Sequence, residues 1–230
     1  MIAEVFDLPD DAVSDICDGS TILVGGFVSA GTPSNLILAL KRSGQTNLTA
    51  VANNIGLGDL LDELCEDRQL ARVIATFAIR ASGGRNSRFE SLYRAGEVEL
   101  ELVPQGTLIE RLRAAGAGLG GVLTRTGLGT MMQDNKQVLE LDGERWLLER
   151  PLRGHVALIK AWRADRLGNL QYRLAGRNFN PVMATAADLV IAEVEEIVEP
   201  GEIPVEHVGT PALYVDRIVQ CEPIPVRWDG

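Results

Sequence analysis

Cysteine is scarce in this sequence. Cys17, Cys65 and Cys221 are the three among 230 residues, far apart and without a Cys-x-x-Cys pair. That argues against a disulfide framework and fits a reducing, cytoplasmic setting. Histidine is scarcer still: His155 and His207 have no ligand-type spacing and neither pairs with a cysteine, so no metal site is expected. No apolar run approaches the roughly 18 to 20 residues of a membrane-spanning helix. Residues 1–11 are acidic and hold no basic segment leading into an apolar one, so no signal peptide is expected. Positive charge is in deficit as well. Lys and Arg total 22 against 32 Asp and Glu, a formal charge of −10, whereas a sequence-independent nucleic-acid binder needs the opposite sign. A local basic pocket for a small phosphorylated ligand stays compatible with that balance. Two catalytic signatures are also missing, the Gly-x-Ser-x-Gly elbow of α/β-hydrolases and the Gly-Lys-Ser/Thr of a P-loop.

What is present is an ordinary globular composition, 46% apolar and 23% charged. No repeat and no linker rich in Pro, Gly or Ser interrupts it, so residues 1–230 read as a single domain. Strand and helix patterns alternate through the first half, which predicts an open α/β sheet, mostly parallel, with crossover helices. A helix is expected from Asp10 or Asp11 to just before Gly19, then a buried strand at Thr21–Val24. After a glycine loop, Thr32 is placed to cap a helix with Pro33 at its first position, and Gly44 to end it. Leu48–Ala52 and Val73–Phe77 read as strands and Leu57–Cys65 as a helix. Glu97–Val103 alternates as a half-buried strand with its carboxylates outward, and Thr107–Ala115 reads as a helix. Asp142-Gly143, between Val138–Leu141 and Arg145–Leu148, predicts a hairpin excursion. Later strands are expected at Val156–Ala161, Leu189–Val194 and Leu213–Val219.

Three segments are candidates for chemistry. The loop Gly25-Gly26-Phe27-Val28-Ser29-Ala30-Gly31 joins a strand to a helix start. Its glycines permit close approach of a ligand, and the helix N–H groups favour anionic or oxyanionic groups; a tight βα turn needs the same residues. Asn53-Asn54 ends a strand, where ligands gather in open α/β sheets; the pair offers amide donors to a carboxylate, or closes the strand as an Asx turn. Pro104-Gln105-Gly106 also follows a strand, and Gln105 either anchors a carboxylate or satisfies its own turn. A formal Gly-x-Gly-x-x-Gly match at Gly116, Gly118 and Gly121 follows a helix, the wrong context for a dinucleotide fold. Glu193, Glu195 and Glu196 read as a solvated acidic face, and Arg80, Arg85 and Arg88 as surface charge around Ser82-Gly83-Gly84.

Taken in order, these blocks resemble the α subunit of the acetate and 3-oxoacid (acetoacetate, butyrate–acetoacetate) coenzyme A transferases. The resemblance runs from about Asp18 to Val219. It begins with Gly25-Gly26-Phe27, Gly31-Thr32-Pro33-Ser34 and Asn53, and is densest from Val103-Pro104-Gln105-Gly106-Thr107 through Gly116–Gly121 to Gly129-Thr130. It continues in Trp146–Arg153 and in Arg177-Asn178-Phe179-Asn180-Pro181.

The resemblance implies one half of an enzyme that exchanges coenzyme A between a short-chain acyl-CoA and a carboxylate such as acetate or a 3-oxo acid. In that family a glutamate carries the reaction through acyl-glutamyl anhydride and glutamyl-CoA thioester intermediates. In two-subunit members this residue lies on the β chain in a Ser-Glu-Asn-Gly-like motif, which is absent here, so no catalytic residue is assigned to this chain. A β-subunit partner in a heterotetramer is implied, with coenzyme A as co-substrate and no tightly bound cofactor. By the same resemblance Gly25, Gly26, Phe27, Val28, Ser29, Ala30 and Gly31 form the coenzyme A loop, and Asn53 and Gln105 line the acyl pocket. One stretch departs: Arg80–Arg88 replaces a loop that reads Gly-Glu-Asn in many 3-oxoacid relatives. Two other readings remain open, a non-catalytic coenzyme A-binding or regulatory subunit, and a CoA-thioester hydrolase or ring-opening enzyme on the same fold.

Overall fold

The computed structural model describes residues 2–78 and 87–225. The first half lays down β1 (Glu4–Phe6), α1 (Pro9–Val13), β2 (Thr21–Val24), α2 (Ser34–Ser43), β3 (Leu48–Asn54), β4 (Leu70–Phe77), α3 (Arg88–Arg94), β5 (Glu99–Leu102) and α4 (Gln105–Gly116). A small antiparallel sheet follows from β6 (Val122–Thr124), β7 (Val138–Leu141) and β8 (Glu144–Glu149), in the order β6-β8-β7. The chain then returns through β9 (Gly154–Asp165), β10 (Leu170–Gln171), α5 (Asn180–Thr185), β11 (Ala187–Val198) and β12 (Arg217–Gln220).

The main sheet runs β1-β12-β11-β9-β2-β3-β4-β5, with every neighbouring pair parallel and β10 added antiparallel to β9. Parallel pairing puts all the carboxyl ends of these strands at one edge. The order also reverses at the middle, where β2 and β9 lie side by side, and this is the place at which open α/β sheets take ligands. Gly25, the first residue after β2, donates to Leu158 O of β9 at 2.9 Å, so the glycine loop leaves the sheet at that point.

Alternation within the central strands supplies both faces. Ile22 and Val24 point into one core with Leu36, Ile37 and Leu40 of α2, while Leu23 joins Leu108 and Leu112 of α4 and Met183 of α5 in the other. A parallel sheet covered on both sides needs such near-continuous apolar strands. The architecture is therefore the open, mostly parallel sheet with crossover helices expected from the sequence. Among the described residues no helix is long and apolar enough to cross a membrane.

Local differences have local causes. The opening helix keeps only five residues. Residues 57–65 contain a 3-10 turn, Leu61–Cys65, because Asp59 draws the preceding loop around its carboxylate. Thr32 does not cap α2; its Oγ1 donates to Val28 O at 3.0 Å, and Pro33 occupies the N-cap position without a side-chain bond. Gly44 ends the helix at φ 76°, as expected. On the edge strand β5, Glu101 is partly buried by pairing with Arg72 and Arg111, and Leu102 is exposed, so the expected alternation breaks down. Leu213 lies in a 3-10 turn, and the last strand starts only at Arg217. The Asp142-Gly143 hairpin forms with both residues at positive φ, 53° and 76°.

Candidate active site

The glycine loop ends in a tight turn. Phe27 N donates to Ala30 O and Ala30 N to Phe27 O, both at 3.0 Å, with Val28 at φ 56° and Phe27 exposed. Its glycines meet the chain itself. A Cβ on Gly25 would overlap the Asn180 side chain, one on Gly26 would overlap Thr32 Oγ1, and one on Gly31 would overlap the Gly176 carbonyl. The glycines therefore serve close internal packing here, and Gly26→Val or Gly31→Val disturbs this chain's own backbone before any ligand. Asn180 fastens the loop: its Nδ2 donates to Gly31 O at 3.0 Å and Gly176 O at 2.8 Å, and its Oδ1 accepts from Lys160 N at 2.9 Å. Asn178 Nδ2 adds a bond to Ala30 O at 2.8 Å. A cavity of about 320 Å³ lies against this turn, with Ala30, Gly31, Lys160, Trp162 and Arg173 among its walls.

The amides at the ends of β3 and β5 meet beneath the turn. Gln105 Nε2 donates to Asn53 Oδ1 at 2.8 Å, Asn53 Nδ2 to Asn54 Oδ1 at 2.9 Å, and Asn54 Nδ2 to Asp59 Oδ2 at 2.6 Å. Asn54 Oδ1 also accepts from Val28 N at 2.7 Å, 26 residues earlier, which rules out a simple Asx turn. Asn53 and Asn54 are buried, while Gln105, the first residue of α4, is exposed and lies over Asn53. Both predicted pocket residues are thus brought together, but only Gln105 faces out of this chain.

The start of α2 is not open to an anion. Glu193 of β11 is fully buried, and its Oε2 accepts from Asn35 N at 2.8 Å and Leu36 N at 3.2 Å. Its Oε1 accepts from Asn35 Nδ2 at 3.0 Å and from Lys160 Nζ at 3.2 Å. The expected solvated face is therefore wrong for Glu193, which fills the helix N-terminus from within. Burial pushes the Asp59 carboxyl up to about 6, opposed by the N–H bonds it accepts from Leu57, Asn54 and Leu61. Sequence reading missed Asp59, although a lone carboxylate closing the run Gly56-Leu57-Gly58-Asp59 is a loop-organising signal. Glu193 carried no such signal, because its partner helix lies 157 residues away. Arg88 opens α3 and pairs with Glu63. Arg80, Arg85 and Ser82-Gly83-Gly84 lie outside the described residues.

A family model described as Coenzyme A transferase matches residues 6–221. The chain belongs to the coenzyme A transferase family. It is 48% identical over 210 residues to the alpha subunit of acetate CoA-transferase from Escherichia coli (strain K12), covering 91% of this chain and 93% of that one. It is 46% identical over 220 residues to the A subunit of 3-oxoadipate CoA-transferase from Pseudomonas putida, covering 95% and 94%. Among solved structures it resembles an acyl-CoA transferase from E. coli O157:H7, crystallised as a thioester complex with CoA, at a TM-score of 0.82 and 21% identity. That likeness covers 96% of this chain and 47% of the other. Nearly full-length alignment with those two subunits makes this chain a coenzyme A transferase subunit of the same kind.

Proposed function

We propose that this chain is the α subunit of a two-subunit coenzyme A transferase, moving CoA between a short-chain acyl-CoA and a carboxylate such as acetate or a 3-oxo acid. Residues 1–230 act as one domain of a cytoplasmic heterotetramer, with coenzyme A as co-substrate and a β subunit completing the site. The observation that carries this reading is the state of the carboxylates. Asp59 and Glu193, the buried carboxylates bonded into the site region, are each occupied by N–H donors of this chain. Glu195, on the wall of the cavity beside the turn, pairs with Arg173 at 3.5 Å, and in this reading the nucleophilic glutamate belongs to the partner.

In this reading the partner's carboxylate oxygen attacks the thioester carbonyl, the C–S bond breaks, and the CoA thiolate leaves behind an acyl-glutamyl anhydride. The thiolate then attacks the glutamyl carbonyl, giving an enzyme-CoA thioester and releasing the first acid; the acceptor acid reverses the sequence. This chain's share is positioning and charge stabilisation. The exposed turn at Phe27–Ala30 meets the coenzyme, and Gln105 offers the N–H that Asn53 leaves unused to an acid carboxylate or developing oxyanion. Co-expression with the partner tests this. The two chains are expected to co-purify and to exchange CoA among acetate, acetoacetate and 3-oxoadipate at unequal rates. A complex that only hydrolyses acyl-CoA, whatever acid is supplied, would contradict it.

A further inference from the structure

The polar chain from Gln105 to Asp59 has a direction, and two groups impose it. A backbone N–H can only donate, so Val28 N, 2.7 Å from Asn54 Oδ1, fixes that atom as the acceptor. An ionised carboxylate can only accept, so Asp59 Oδ2, 2.6 Å from Asn54 Nδ2, fixes the other end of the same amide as donor. Asn53 then has to donate from Nδ2, its Oδ1 turns to Gln105, and Gln105 has to answer with Nε2. Asp59 is itself held firmly: it accepts from Leu57 N at 3.0 Å, Leu61 N at 2.9 Å and Gly56 N at 3.3 Å. The adjacent Leu60 sits at φ 60°, an uncommon conformation for a branched side chain, which the surrounding bonds maintain.

We propose that Asp59 is a positioning residue of the transferase site, setting the polarity of the Asn54, Asn53 and Gln105 amides and, through the Asn54 oxygen, the turn at Val28. This rests on the functional reading above and adds to it a link between the acid end of the site and the coenzyme loop. One buried carboxylate thus governs both. Among the described residues the charged and titratable groups around it are Asp62 on the following 3-10 turn, which disfavours its ionisation, and the Cys65 thiol beyond, with Arg88 of α3 acting on both Asp62 and Cys65. Asn54 from β3 and the Val28 turn present only neutral dipoles to it.

The test compares Asp59→Asn, Gln105→Ala and the exchange Asn54→Asp with Asp59→Asn, all in the assembled complex. An amide at position 59 has one oxygen for two pairs of donors. Turned to Leu61 and Gly56, it meets Asn54 and Leu57 with a donor, so the chain has to invert against Val28 N–H. Turned to Asn54 and Leu57, it strands the N–H groups of Leu61 and Gly56 and loosens the turn that holds the end of the chain. Asp59→Asn is expected to lower kcat/KM roughly tenfold or more for both the acid and the acyl-CoA, and Gln105→Ala for the acid alone. In the exchange, a carboxylate at position 54 again accepts from Val28 and Asn53 and restores the polarity, yet Leu57 N–H stays without its acceptor. Activity is therefore expected to recover most of the loss while Tm stays at the value of Asp59→Asn. Activity that fails to recover, or that recovers only together with Tm, overturns the proposal. Crystal structures of the complexes give a readout without catalysis. Gln105 and residues 27–30 should shift in Asp59→Asn and return in the exchange, and an unmoved site overturns the proposal whatever the kinetics. A wild-type complex devoid of transferase activity sinks the functional reading instead, and those structures still decide the role of Asp59.

Discussion

At the scale of single residues, Gln105 is the one amide of the buried chain that reaches the surface, so it carries the burden of contacting the acid. A hydrogen bond to a charged group contributes about 1.5 to 3 kcal/mol. Gln105→Ala should accordingly lower catalytic efficiency for the acid roughly ten- to hundredfold and change the KM for acyl-CoA less. Steady-state kinetics with both substrates varied would show it, and unchanged efficiency for the acid would remove Gln105 from the site. Asp59 makes a prediction about pH. Its folded value of about 6 lies above the ordinary 3.8, so between those values the folded chain holds a proton that the unfolded chain has released. The contribution to stability is full below about pH 3.8 and lost as pH rises through about 6. The Tm difference between wild type and Asp59→Asn should therefore move against the wild type across that window. A constant difference would mean that Asp59 ionises in the folded chain as it does in water.

At the scale of elements, α2 shows what a sequence does and does not disclose. Its apolar face, its end at Gly44 and its place after a glycine loop were all readable, because periodicity and positive-φ glycines are local properties. Its true cap was not, since Glu193 arrives from β11 across the sheet. Removing one member of a buried ion pair strands the other, at a cost of about 3 to 5 kcal/mol. Glu193→Ala is expected to destabilise the chain by that order, measured by denaturant unfolding, because Lys160 and two helix N–H groups lose their acceptor together. A change within a few tenths of a kcal/mol would show that water replaces the carboxylate, contrary to its burial. The start of α3 was readable in principle. Ser87 Oγ accepts from Glu90 N and Glu90 Oε2 from Ser87 N, both at 3.1 Å, a capping box written in the spacing Ser-x-x-Glu. The site divides the same way: Asn53, Gln105 and the glycine loop sit at strand ends that a pattern can locate, whereas the bonds joining them span up to 52 residues and only folding reveals them.

At the scale of the whole molecule, the parallel sheet gathers the carboxyl ends of β2, β3 and β5 along one edge, and the reversal of strand order at β2 and β9 puts the glycine loop there. In the proposed function the groups described at that edge bind or position. The turn, the amides and Asn180 donate and accept, while Asp59 and Glu193 are engaged inside the chain. In the proposed function the nucleophile comes from the partner chain. The most direct measurement is the intact mass of each chain after the assembled complex is mixed with acyl-CoA and quenched without acceptor acid. The expected result is a CoA-sized increase on the partner chain alone, with this chain unchanged; the same increase on this chain would contradict the shared site.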